Sequence, residues 1–149
     1  MIRFLIPSLL LLTISCQNEP LSLVDISINE HTAFALAEKQ KGIYDLITLK
    51  TLEIVDSRCP SDVQCIQQGH AGVDIEVLAN NNAIDTFQLC IGGCILWQRP
   101  DRMGTFEADT AYFTNQSKDY MLILEDVLPY PSQKNTKEVK RAKMKLIEL

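Results

Sequence analysis

The chain has 149 residues, 46% of them hydrophobic, and a net charge of −5 at pH 7. A chain of this length and composition forms one domain around one hydrophobic core. Its acidic balance argues against nucleic acid as a partner, because binding to nucleic acid needs a basic face that neutralises phosphates. Composition and charge indicate nothing more specific about a reaction or a ligand.

The first 15 residues have the organisation of a secretory signal. Arg3 precedes an apolar run over residues 4–12, and the small residue Ser15 stands directly before Cys16. An apolar run this short does not span a bilayer. The pattern resembles a bacterial lipoprotein signal, in which the cysteine after the cleavage site is acylated and becomes the first residue. An ordinary secretion signal and an uncleaved anchor are the alternatives.

This resemblance defines the expected organisation of the chain. Residues 1–15 are the lipoprotein signal peptide, residues 16–20 are the acylated cysteine and a polar tether, and residues 21–149 form a single domain. Cleavage removes Arg3 and leaves 13 basic against 19 acidic side chains, a net charge of −6. Each acyl methylene that enters a bilayer contributes about 0.8 kcal/mol. We therefore expect Cys16 to anchor the protein to a membrane of the cell envelope, either facing the periplasm or at the surface of the outer membrane.

Four further cysteines are predicted to form two local disulfides. They are Cys59, Cys65, Cys90 and Cys94. In a cytosolic protein their C-x5-C and C-x3-C spacings would suggest a tetrahedral zinc site. The signal sequence favours disulfides instead, because disulfides persist outside the cytoplasm. We expect the pairs Cys59–Cys65 and Cys90–Cys94, with the two crossed pairings as alternatives.

The domain reads mostly as short strands separated by turns. Residues 71–79 and 118–128 alternate between apolar and polar side chains, as half-buried strands do. Residues 47–55 shift their apolar phase by one position, which indicates a β-bulge near Lys50-Thr51. Further strands are expected over residues 21–28, 32–37, 83–90, 95–97, 104–113 and 143–149, with turns at 41–42, 80–82 and 91–94. Eight or nine short strands indicate an all-β fold, a small antiparallel β-sandwich or a barrel.

One loop, S-R-C-P-S-D-V-Q-C over residues 57–65, combines two cysteines with distinctive polar residues. A loop that a disulfide clamps binds a partner with a smaller ordering cost than a flexible one. The possible binding residues in and after this loop are Arg58, Asp62, Gln67 and His70. Arg58 has an alternative role, in which it pairs locally with Asp56 and fixes the turn.

The same loop resembles a motif of a known family. In a family of uncharacterised bacterial envelope domains, D-S-R-C-P is followed by a second cysteine and G-x-A, and much later by P-Y-P. The matching positions here are residues 56–60, Cys65, Gly69, Ala71 and residues 129–131. The resemblance covers roughly residues 34–149 and implies a small β domain, often lipid-anchored, with no settled activity. This chain departs from the family in having I-Q-Q at residues 66–68, where a tryptophan is expected, and in adding the Cys90–Cys94 pair.

No catalytic motif stands out in the sequence. It contains no G-x-S-x-G turn, no H-E-x-x-H and no glycine-rich phosphate loop. His31 and His70 lie too far apart to make a metal-ligand spacing, and oxidised cysteines cannot bind a metal. We therefore expect a non-catalytic lipoprotein, without cofactor or metal, that binds an unknown protein or glycan. The alternative function is a protease inhibitor that presents the disulfide-clamped loop around Arg58.

The anchored and stapled chain has a defined mass. For protein purified from cells and denatured, we expect the mass of a chain that begins at Cys16 plus that of its lipid. Alkylation before reduction should add no mass, because the other four cysteines are paired. Four reactive thiols together with about one equivalent of bound zinc would contradict both the compartment and the disulfides.

Overall fold

The computed structural model describes residues 24–94, 104–135 and 137–149. These residues form ten β-strands in two sheets, so the expected all-β sandwich is confirmed. The strands are β1 (Ile26–Ser27), β2 (Ala33–Ala37), β3 (Lys41–Tyr44), β4 (Ile47–Asp56), β5 (His70–Ala79), β6 (Asn82–Gly93), β7 (Thr105–Phe106), β8 (Asp109–Asn115), β9 (Lys118–Leu128) and β10 (Arg141–Glu148). The strand count exceeds the expected eight or nine, and β1 and β7 are only two residues long.

One sheet has six strands in the order β1-β3-β4-β5-β6-β7, and the other has four in the order β2-β10-β9-β8. Neighbouring strands are antiparallel except β1 and β3, which run parallel. The described strands do not close into a barrel. The fold is therefore a sandwich whose two sheets enclose the core.

Alternation along the strands builds this core. On β5 the side chains of Val73, Ile75 and Val77 are fully buried, whereas Asp74 and Glu76 on the other face are partly exposed. The last two strands, β9 and β10, alternate in the same way. The buried residues there are Tyr120, Leu122 and Leu124 on β9 and Met144 and Leu146 on β10.

The predicted β-bulge is present on β4. The β4–β5 register shifts between Thr51 and Glu53, which places the extra residue just after the predicted position. The Thr51 N–H donates to the Gln40 carbonyl (3.1 Å), and the Thr51 carbonyl accepts from the Lys39 N–H (2.7 Å). Backbone groups at the bulge thus form hydrogen bonds with the connection from β2 to β3. In this connection the chain passes from one sheet to the other.

The turn predicted at Lys41-Gly42 was wrong, because both residues belong to β3. The chain turns just before them, where Lys39 has a φ of 64°. The buried side chain of Gln40 fixes this turn: its Oε1 accepts from the Ala37 N–H (3.0 Å). A buried amide that satisfies backbone groups therefore determines the turn, rather than the glycine.

The hairpin predicted at residues 80–82 is confirmed, since Asn80 and Asn81 have φ angles of 49° and 63° between β5 and β6. The turn predicted at residues 91–94 was wrong for most of its length. Residues 91–93 continue β6, and its last two residues pair with β7.

The signal peptide, Cys16, the tether and the strand expected at residues 95–97 lie outside the described residues. The predictions for them stay predictions. Within the ranges that the structure describes, no helix has the length and apolar character needed to cross a bilayer.

Candidate functional site

Both expected disulfides are present. Cys59 and Cys65 are joined with a Cα–Cα distance of 5.9 Å, and Cys90 and Cys94 with 6.1 Å. They differ in burial: Cys65 is exposed on the loop between β4 and β5, whereas Cys90 and Cys94 are buried at the end of β6. The crossed pairings are thereby excluded, and the exposed disulfide is the one that shapes the loop.

The guanidinium of Arg58 lies at the base of this loop and is only 7% exposed. Its Nε and Nη2 donate to the two carboxylate oxygens of Asp56 at 2.9 and 3.0 Å. Nη1 donates to Asp126 Oδ1 at 2.7 Å, and Nη2 also donates to the Val127 carbonyl. The Tyr130 ring covers one side of the guanidinium, with its centroid 4.4 Å from Cζ. Arg58 thus joins the end of β4 to the end of β9 across the two sheets.

The charge on Asp56 is compensated from two directions. Its side chain is 2% exposed, and Lys140 Nζ lies 3.1 Å from Oδ2. Burial acts to raise the pKa of Asp56, but hydrogen bonds from Arg58 and Lys140 outweigh it, so the pKa lies below its ordinary value. Asp56 is therefore held as a carboxylate by two cations that come from different elements.

The loop also docks on the connection between β9 and β10. The Ser61 N–H donates to the Pro131 carbonyl at 2.9 Å, and both carboxylate oxygens of Asp62 accept from the Gln133 N–H at 3.0 and 3.1 Å. The D-S-R-C-P segment at residues 56–60 and the P-Y-P segment at residues 129–131 therefore form one structural unit.

Glycines at the end of the loop bring it against β6. Gly69 has a φ of +69°, and a Cβ at this position would lie 2.0 Å from the Ser57 carbonyl oxygen. Its own carbonyl accepts from the Gly93 N–H at 2.8 Å. No other residue type fits this approach, because the side chain would overlap the backbone.

A cleft opens between the loop and the end of β6; we call it the loop-end cleft. It is lined by Ser57, Gln67, Gln68, Gly69, His70, Gly93 and Thr105. Gln68 and Thr105 also border a second depression that extends over Phe106 and Glu107 to Tyr130. Five of the seven lining residues have hydrogen-bonding side chains, and apolar atoms contribute most of the exposed lining.

The structure separates the four possible binding residues. Gln67 and His70 line the loop-end cleft. Asp62 instead accepts a hydrogen bond from the Gln133 N–H, and Arg58 is buried. An inhibitor that inserts Arg58 into a protease pocket would need this guanidinium free, and here it makes bonds to three other residues. The local pairing with Asp56 is present, but Asp126 and Lys140 were not foreseen. The late P-Y-P was a sequence signal that pointed to their region.

Ser57 and His70 are in contact, with 3.3 Å between Oγ and Nδ1. A catalytic serine directs its hydroxyl hydrogen at the histidine ring. Here the Ser57 hydroxyl donates to the His70 carbonyl at 3.0 Å and accepts from the His70 N–H. The Ser57 hydroxyl thus bonds the backbone of the first residue of β5 at the mouth of the cleft, which is a structural arrangement.

Among the residues that the structure describes, no three His, Cys, Asp or Glu side chains come together as metal ligands would. No protein-family model, curated protein or solved structure matches the chain.

The buried guanidinium makes a specific prediction for Arg58→Lys. Lysine keeps the charge but loses the planar fork, and each lost hydrogen bond to a charged group is worth about 1.5–3 kcal/mol. We expect the free energy of unfolding to fall by at least about 2 kcal/mol, within the range that such bonds span. Arg141→Lys on the exposed start of β10 is the matched control and should change it by less than about 0.5 kcal/mol. Equal effects in denaturant titrations would contradict the role of Arg58.

The lowered pKa of Asp56 predicts the pH dependence of this effect. A carboxyl group whose pKa is lowered by folding stabilises the protein fully above its unfolded pKa, about 3.9, and loses that contribution as pH falls through the folded pKa. In Arg58→Met the carboxylate keeps only Lys140 as a cationic partner. The difference in unfolding free energy between wild type and Arg58→Met should be largest near pH 7 and shrink below about pH 4. A constant difference down to acid unfolding would contradict this assignment.

Proposed function

We propose that this protein is a non-catalytic binding module of the cell envelope, held by lipid on Cys16, and that the loop-end cleft receives its protein or glycan partner. The observation that carries the proposal is the pre-ordering of the loop between β4 and β5. The Cys59–Cys65 disulfide closes the loop, and the Arg58 contacts fix its base. Such a loop loses little conformational entropy on binding.

The polar side chains of the cleft support recognition of uncharged hydrogen-bonding groups on a partner. Gln67 and Gln68 are exposed amides with both donors and acceptors, and Thr105 adds a hydroxyl group. Gly69 and Gly93 contribute backbone to the lining. Peptide groups and sugar hydroxyls both match this set of donors and acceptors.

Membrane anchoring is compatible with the position of the domain start. Gln40 Nε2 donates to the Val24 carbonyl at 2.7 Å and so ties the first described residue to the β2–β3 turn. Only seven residues separate Val24 from Cys16, and they span at most about 30 Å when extended. An acylated Cys16 would therefore keep the start of the domain close to the membrane surface and favour partners that are found there.

The proposal is tested by placing a photo-crosslinking amino acid at Gln67 in the full chain in intact cells. The matched control position is Asn81, which is exposed in the β5–β6 turn at the opposite end of β5. We expect a discrete crosslinked species from position 67 and none from position 81. Crosslinks that are absent from position 67, or the same from both positions, would contradict a binding role for the cleft.

A further inference from the structure

We propose that Ile66 is a hydrophobic anchor that inserts into a concave aliphatic pocket of a protein partner. This inference rests on the proposed binding function and specifies the chemistry of the partner. It assigns the main contact to the tip of the disulfide loop, beside the loop-end cleft, and it makes the partner a protein rather than a glycan.

Ile66 is the most exposed large hydrophobic residue in the described part of the chain, at 105% of the reference area. The next most exposed, Val24 and Leu149, stand at the first and last described positions. Single exposed apolar side chains are common on protein surfaces and by themselves indicate nothing. What distinguishes Ile66 is that full exposure occurs on a segment whose backbone is fixed on both sides.

The constraint before Ile66 is covalent, since Cys65 is joined to Cys59. The constraint after it is a short run of backbone hydrogen bonds. The Cys59 N–H donates to the Gln68 carbonyl at 2.9 Å, and the Gly93 N–H donates to the Gly69 carbonyl at 2.8 Å. The isoleucine is thus held outward on an ordered loop, and binding it requires little further ordering.

The surroundings of Ile66 indicate the class of partner. Residues 63–69 carry no charged side chain, and three of them are glutamines: Gln64, Gln67 and Gln68. Attraction to acidic lipid headgroups depends on clustered Lys and Arg, which this segment lacks. An aliphatic side chain that a partner would bury, flanked by hydrogen-bonding side chains, instead matches the apolar core and polar rim of a protein–protein interface.

The tip and the cleft belong to one surface, because Gln67 and Gln68 line the cleft directly after Ile66 in the chain. A partner that covers Ile66 would meet these amides at the edge of its pocket. The isoleucine then supplies affinity through burial of apolar area, and the amides select a partner with complementary groups.

The test introduces Ile66→Ser into the full chain that carries the crosslinker at position 67. Ile84→Ser on β6 is the matched control, since Ile84 is 42% exposed. We expect the yield of the crosslinked protein to fall more than tenfold in Ile66→Ser and to be unchanged in Ile84→Ser. Both variants should retain the melting temperature of the parent chain, because neither side chain belongs to the buried core.

Each other outcome overturns a defined statement. A crosslinked yield that persists in Ile66→Ser, or that falls equally in Ile84→Ser, overturns the anchor and leaves the binding module intact. A mass spectrum that shows lipid or glycan, or a second copy of this chain, in the crosslinked species overturns a separate protein partner. An absent adduct in the parent chain overturns both the inference and the proposed function.

Discussion

The buried ion pair between Arg58 and Asp56 is the interaction on which the arrangement of the loop end depends. Asp56 is the last residue of β4, and the bonds of Arg58 to Asp126 and Val127 tie that strand to β9 of the other sheet. A buried guanidinium is tolerated only when its donors are satisfied, and here carboxylates and a carbonyl accept from it while an aromatic ring covers it. Arg58 directly precedes Cys59, the first cysteine of the disulfide loop. The position of the loop therefore follows from the packing of the two sheets.

A large part of the fold could be predicted from residue pattern alone. The strands whose apolar residues alternate regularly, β5 and β9, were located almost to the residue, and the phase shift in β4 correctly indicated its bulge. The errors occurred where a long-range contact decides the backbone path. The turn before β3 depends on the buried side chain of Gln40, and the end of β6 continues because β7 pairs with it. Neither contact leaves a local signal in the sequence.

The candidate site was predictable in its covalent part and not in its electrostatic part. The expected compartment and the cysteine spacing were enough to pair the four cysteines correctly. The burial of Arg58 could not be predicted from the sequence. It depends on Asp126 and Tyr130, which lie about 70 positions further along the chain. The local motif therefore identified the right loop. Contacts with residues distant in sequence determine which residues of the loop face solvent.

The use of charges at this position bears on function as well as on stability. A well-packed apolar cluster would join two sheets at least as strongly as a buried ion pair, since removing charges from water is costly. Apolar contacts, however, have little directional preference, whereas the guanidinium fork fixes both the distance and the orientation of Asp56 and Asp126. A network of this kind is useful where backbone geometry must be reproduced closely. That requirement fits a loop whose outer side presents Ile66 and Gln67 to solvent, because a rigid presentation reduces the ordering cost of binding.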